Sequence, residues 1–270
     1  MSASPLYKEV HQMRKTILVL ILAITVTAFA AAVTLKIGAT PRPHAEILEV
    51  IKPLAAEKGI NIEIVVFTDY VLPNLALADG ELDANFFQHV PYLDTFKSDR
   101  RLDLASLVAV HVEPMGLYSN KIKSLSELKN GALIGIPNDP TNGGRALLLL
   151  QTAGLIEVDK AAGITPTVFD ITKNPKNLKF TELEAAMLPR SLQDLDAAVI
   201  NTNYALEGGL VPTKDALIME GEESPYANIV AVRTADLEKP EFAILAELLT
   251  SDAVREFIET EYKGSIVTAF

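Results

Sequence analysis

The sequence contains no cysteine. That removes disulfide scaffolds, thiolate metal sites and cysteine nucleophiles together, although it fits any redox compartment. Positive charge is scarce as well: 24 Lys and Arg stand against 35 Asp and Glu, a net charge of −11, with no basic cluster anywhere. A nucleic-acid-binding surface needs such a cluster, so that class is set aside; the acidity serves solubility. Histidines number four, and His44, His89 and His111 show no metal-ligand spacing along the chain. A transition-metal receptor needs a histidine and carboxylate cluster, and none is legible at this level. No Gly-rich phosphate loop follows the first expected strand, and no nucleophile–base pair stands out. With the usual acid–base residue so sparse, catalysis is not expected, nor is a cofactor. Repeats, low-complexity tracts and a Pro/Gly/Ser linker are also missing.

One long apolar run is present. Ile17 to Val26 is aliphatic apart from Thr25, Arg14 and Lys15 precede it, and Ala28-Phe29-Ala30 follows. A basic start, an apolar stretch of about 10 residues and a small-x-small exit make a secretory signal. Met13 is a natural start for that signal, which makes residues 1–12 an extension. Thr16 to Val33 is about 18 residues, the short edge of a bilayer span, so residues 1–33 are either a cleaved signal peptide or an uncleaved anchor. In both cases the rest of the chain is exported, to the periplasm or the outer face of the cytoplasmic membrane.

The remaining length suits one large domain or two ordinary ones, and 49% hydrophobic with 22% charged residues is the balance of a globular protein. Apolar strands alternate with amphipathic helices from Thr34 onward, the grammar of an α/β fold with largely parallel sheets. Strands are expected at Leu35–Ala39, Ile62–Phe67, Ala84–Phe87, Leu104–Val112, Leu133–Pro137, Thr167–Ile171, Ala197–Ile200, Ala216–Met219 and Ile229–Val232. Helices are expected over His44–Lys58, with Gly59 as its C′ residue, and over Leu72–Gly80, Pro91–Ser98, Thr141–Gly154 and Glu182–Leu188, with Glu241–Tyr262 supplying C-terminal helices. Two αβ halves, divided near Val112 to Leu117 without a flexible linker, suggest two lobes that close on a ligand.

Ligands of open α/β sheets bind beyond the carboxyl ends of strands. Tyr70, then Phe86, Phe87, His89 and Tyr92, then Asn138 and Arg145, then Asn201 fall at such places. Aromatic walls with a few oriented polar groups describe a small-molecule pocket. An arginine can clamp a carboxylate bidentately, and asparagine both donates and accepts, which suits a zwitterion. Taken singly each has a plainer role: Tyr70, Phe87 and Tyr92 as core aromatics, His89 as a satisfied core histidine, Asn138 as a helix cap, Asn201 as a cap or turn residue. Arg145 sits badly with the helix dipole and answers either an anionic ligand or an acidic neighbour. Convergence carries the argument.

Seven ordered motifs resemble the NlpA/MetQ family of methionine-binding proteins: Asp69-Tyr70-Val71-Leu72-Pro73-Asn74, Phe87-Gln88-His89-Val90-Pro91-Tyr92-Leu93, Pro137-Asn138-Asp139-Pro140-Thr141-Asn142, Asn174-Pro175-Lys176-Asn177-Leu178, Leu188-Pro189-Arg190-Ser191-Leu192, Val199-Ile200-Asn201 and Glu223-Ser224-Pro225-Tyr226-Ala227-Asn228. The resemblance runs from about Leu35 to the C-terminus. It implies the type II two-lobed periplasmic-binding-protein fold with two crossover strands, one lobe of residues 34–113 plus 229–270 and the other of 114–228. It implies methionine, L or D, in an interlobe cleft: Tyr70, Phe87, His89 and Tyr92 around the side chain with Phe86 as an addition, Arg145 on the carboxylate, Asn201 and Asn228 on the amino-acid backbone. It further implies delivery of the ligand to the permease of an ABC importer; the chain is expected to be a monomer, with membrane contact through the N-terminal segment if that segment is uncleaved. Two departures stand out. The family's lipobox cysteine is missing, which rules out that lipid anchor here, and Phe86 and Gly143 differ from the commonest family residues. A bulky Phe86 facing the ligand would reshape the side-chain slot. The alternatives are a receptor for another small amino acid or a dipeptide, an enzyme on the same fold, and a metal-ion receptor.

Overall fold

The computed structural model describes residues 32–221 and 224–270; the expected export signal lies outside them. No described helix is long and apolar enough to cross a membrane.

In β1 (Val33–Ala39) Leu35 and Ile37 are buried on either side of a half-buried Lys36, the alternation of a strand with one face on the core. A turn through Pro41–Ala45 leads to α1 (Glu46–Glu57), which buries Ile47, Leu48, Ile51 and Ala55. These positions recur at helical spacing and form one stripe. Gly59 follows the helix with φ +78, the left-handed stop that glycine takes without steric cost. β2 (Ile60–Val66) then lies parallel to β1. After α2 (Leu72–Ala78) comes β3 (Ala84–His89), buried at all six positions and parallel to β1 on its other side. α3 (Val90–Arg100) and β4 (Leu104–Val112) complete this stretch.

The chain now leaves the first sheet through Glu113 and Pro114. A second sheet is built from β5 (Gly116–Tyr118), β6 (Leu133–Pro137), β9 (Lys179–Leu183), β10 (Ala197–Ile200) and β11 (Ala216–Met219), in the order β11-β5-β10-β6-β9. α4 (Pro140–Thr152) follows β6, and β7 (Glu157–Val158) and β8 (Ile171–Lys173) pair as a small separate hairpin. α5 (Leu188–Ser191), α6 (Thr202–Glu207) and α7 (Pro212–Asp215) connect the later strands. Past Glu220 the chain returns to the first sheet in β12 (Ala227–Arg233), and α8 (Pro240–Leu249), α9 (Asp252–Tyr262) and β13 (Val267–Thr268) end it. The first sheet is thus ordered β13-β4-β12-β3-β1-β2. Each sheet has its own core, one around Ile37, Ile51, Phe86, Val232 and Phe242, the other around Met115, Ile134, Leu147 and Val199. Two crossings join them.

Two expected elements are different in the structure. Glu182–Leu188 is not one helix: Lys179–Leu183 forms the edge strand β9 and a single 3-10 turn over Ala185–Met187 follows. An edge strand half open to water alternates polar and apolar residues, and Glu182 and Glu184 read misleadingly as helix formers. Thr167–Ile171 is mainly a 3-10 turn, closed by a capping box in which the Asp170 carboxylate accepts from the Thr167 backbone N–H and hydroxyl, both at 2.7 Å.

Candidate functional site

The strand ends of both sheets converge on one cavity. Tyr70 follows β2, Phe87 and His89 end β3, Tyr92 opens α3, Arg145 lies in the second turn of α4, Asn201 follows β10, and Asn228 lies in β12. All seven border that cavity, which measures about 20 Å³. Such a space holds only one or two waters.

One wall is a triangle of rings. Tyr70, Phe87 and Tyr92 have centroids 5.8 to 6.0 Å apart, the spacing of tilted and edge-to-face aromatic pairs. The Tyr92 hydroxyl donates to the Tyr70 carbonyl at 2.7 Å and the Tyr70 hydroxyl to Asn203 Oδ1 at 2.5 Å, so both polar tips are fixed and the ring faces stay apolar. Below the triangle Asn74, Asn85 and Gln88 form a buried amide network, with Gln88 Nε2 donating to Asn74 Oδ1 at 2.7 Å and to Asn85 Oδ1 at 2.9 Å. That network ties the end of β3 to α2, which sets the direction of Phe87 and His89.

His89 has a double task. Its Nδ1 accepts from the Tyr92 backbone N–H at 3.2 Å, capping α3. The proton is therefore on Nε2, which donates to Asn142 Oδ1 at 3.3 Å. Burial, then the nearby Arg145 guanidinium, push its pKa down to about 3, so it is neutral at any ordinary pH.

Polar groups make the opposite wall. Asp139, not Asn138, caps α4: its carboxylate accepts from the Asn142 backbone at 2.9 Å and from the Asn142 side chain at 3.0 and 3.1 Å. That fixes Asn142 with its oxygen outward, where it accepts from Asn201 Nδ2 at 2.8 Å. Among the described residues the Asn201 oxygen is buried with no partner, and Asn203 Nδ2 is likewise buried and unpartnered. One spare acceptor and one spare donor thus remain on the wall.

Close packing brings α4 to this place. A Cβ on Gly144 would lie 2.6 Å from Thr165 Cα, and one on Gly143 2.8 Å from the Pro137 carbonyl oxygen. Both contacts are with backbone, so only glycine fits. Arg145 is only 2% exposed. Its Nε and Nη2 donate to the two oxygens of Glu220 at 2.8 and 2.5 Å, and Nη2 also reaches the Glu113 carbonyl at 2.7 Å. The guanidinium lies 4.2 Å from the centroid of the Tyr226 ring. Among the described residues nothing engages Nη1. Arg145 is therefore both a member of an ion pair and a residue of the cavity wall.

Phe86 does not belong to the lining. Successive strand residues face opposite ways, so with Phe87 turned to the cavity Phe86 enters the first core, fully buried and edge-on to His44 at 4.7 Å. It cannot reshape the slot directly. The histidines also differ from the sequence reading: His44 and His111, distant in the chain, meet Glu113 in a buried group whose donor atoms lie within 4.8 Å of one another. Within it His111 Nε2 hydrogen-bonds Glu113 Oε1 at 2.8 Å, and His44 Nε2 lies 3.2 Å from the same oxygen.

Further residues on this wall escaped the sequence reading: Glu113, Asn142, Thr202 and Asn203. The Glu113-Pro114 pair reads only as a strand breaker, and Asn203 is masked by its neighbour Asn201.

A sequence model of the NlpA lipoprotein family matches residues 35–270. The chain belongs to that family. It is 46% identical over 236 residues, 86% of this chain and 87% of the relative, to the D-methionine-binding lipoprotein MetQ of Salmonella typhimurium. With the methionine-binding lipoprotein MetQ of Bacillus subtilis it shares 42% over 236 residues, 86% of each chain. Among solved structures, a nutrient binding protein from Burkholderia cenocepacia bound to methionine superimposes with a TM-score of 0.86 at 48% identity, covering 87% of this chain and all of that one. The NlpA family member described here therefore shares the two-lobed α/β fold of substrate-binding proteins, and its relatives are binding lipoproteins rather than enzymes.

Proposed function

We propose that this chain is the extracytoplasmic solute-binding component of an ABC importer and that it binds methionine in the cavity between the two sheets. The carrying observation is the division of that cavity: an aromatic triangle on one side, and on the other a guanidinium edge, a spare amide donor and a spare amide acceptor. A zwitterion with an apolar, polarizable tail matches it group for group. The thioether lies against rings, the carboxylate meets Arg145 Nη1 and Asn203 Nδ2, and the ammonium meets Asn201 Oδ1 and Asn228. Tyr70, Phe87, His89, Tyr92, Arg145, Asn201 and Asn228 are the ligand-binding residues.

Capture requires motion. In this reading residues 34–113 with 229–270 form one lobe and 114–228 the other, hinged at the two crossings. Ligand bridging the lobes favours the closed form that a permease recognises, and the protein performs no turnover. Methionine-binding relatives at 42 to 46% identity support the choice of ligand. A thermal-shift panel of L-amino acids and D-methionine on protein stripped by unfolding and refolding tests it. Methionine raises the melting temperature, by mass action equivalent to about 2.7 kcal/mol at 100 times its dissociation constant; an unchanged melting temperature with every ligand refutes the proposal.

A further inference from the structure

Glu113 lies at the first crossing between the sheets, 5% exposed, with its side chain in the cavity wall. A buried carboxylate is costly unless hydrogen-bonded or matched by charge. Its hydrogen bonds come from His111 Nε2 at 2.8 Å and the Asn203 backbone N–H at 3.0 Å, and His44 Nε2 approaches to 3.2 Å. His44 Nε2 donates to Asn228 Oδ1 at 3.1 Å, which leaves its Nδ1 to accept from the Thr40 hydroxyl at 2.7 Å. All of these donors are neutral, because burial pushes His44 down to about 4 and His111 down to about 3. The nearest cation, Arg145, meets Glu113 only at its backbone carbonyl and is matched by the carboxylate of Glu220.

Among the described residues, a carboxylate with two neutral donors and no Lys or Arg ion pair thus lines the cleft together with Asn201 and Asn228. We propose that Glu113 is the counter-ion of the ligand's ammonium group, and that His44 and His111 are positioning residues which aim its carboxylate. This rests on the reading of the cavity as an amino-acid site. The charged and titratable groups acting on this cluster are His44, His111, Arg145, Glu207, Tyr70 and Tyr262.

The test compares methionine with 4-(methylthio)butanoate, which keeps the thioether and the carboxylate but has no ammonium, by calorimetry on wild type and Glu113→Gln. Wild type prefers methionine; in Glu113→Gln methionine affinity falls on the order of 10- to 100-fold more than that of the analogue, and the preference collapses. Equal losses for both ligands overturn the proposal. For the positioning role, His111→Leu moves the acid-side loss of methionine affinity to higher pH, because the carboxylate protonates sooner, and His111→Gln, which restores a donor near Nε2, returns the wild-type profile. A His111→Leu profile that overlays wild type overturns that role. Wild type that binds no methionine at all refutes the cleft reading itself, whereas wild-type binding with an unaffected Glu113→Gln refutes the assignment of Glu113 alone.

Discussion

Arg145 is fixed by its own protein, since Glu220 takes two of its donor directions and in turn accepts from the Met115 backbone N–H at 2.9 Å. A fixed fork loses little freedom when it meets a carboxylate. Lysine cannot span both jobs, so Arg145→Lys is expected to weaken methionine binding on the order of 100-fold by calorimetry. Arg145→Ala additionally leaves Glu220 without its cation and lowers folding stability by about 3 kcal/mol, read as a shifted denaturant midpoint. Tyr70→Phe is milder: it removes the bond to Asn203 that spans the cavity and is expected to reduce affinity by about 1 kcal/mol, roughly fivefold, while the melting temperature of unliganded protein moves little. At this scale the sequence made the rings and Arg145 visible through their place at strand ends. It could not reveal Glu220, which lies 75 residues from its partner, or Glu113, whose meaning comes from two histidines brought together only by folding.

Elements position these residues by burial and by close approach. β4, β6 and β10 run from Leu104 to Val112, Leu133 to Pro137 and Ala197 to Ile200, and each is legible because an apolar run flanked by breakers has few other places to go. β9 was not legible, being an edge strand with Lys179 and Glu182 exposed. Nor was β5, three residues long, whose apolar content merges with what precedes it. The start of α4 carries the sharpest structural demand. Gly144→Ala puts a methyl group 2.6 Å from backbone; relief means shifting α4 or the Thr165 segment, at a cost of about 1 to 3 kcal/mol. Its thermal midpoint is expected to fall, and because α4 carries Arg145 and Asn142, methionine affinity falls with it. A Gly144→Ala protein as stable as wild type would show that the contact is slack.

Across the whole molecule, three buried histidines make stability depend on pH. His44, His89 and His111 have folded values of about 4, 3 and 3, against about 6.5 in an unfolded chain. Below that value the unfolded chain binds more protons, so stability falls as pH drops from about 6.5 toward 4. Glu113, raised by burial, offsets part of the loss. Melting at about pH 5 is therefore expected several degrees below that at about pH 7; an unchanged midpoint contradicts the neutral burial of these rings. The same cluster lies where β4 leaves the first sheet, so opening at the crossings and the charge state of the cavity wall share residues.

A crystal structure of the stripped protein grown with L-methionine tests the account most directly. It should contain methionine with its thioether among Tyr70, Phe87 and Tyr92, its carboxylate on Arg145, and its ammonium toward Asn201 and Asn228. Methionine bound elsewhere, or turned with its carboxylate toward the rings, would contradict it.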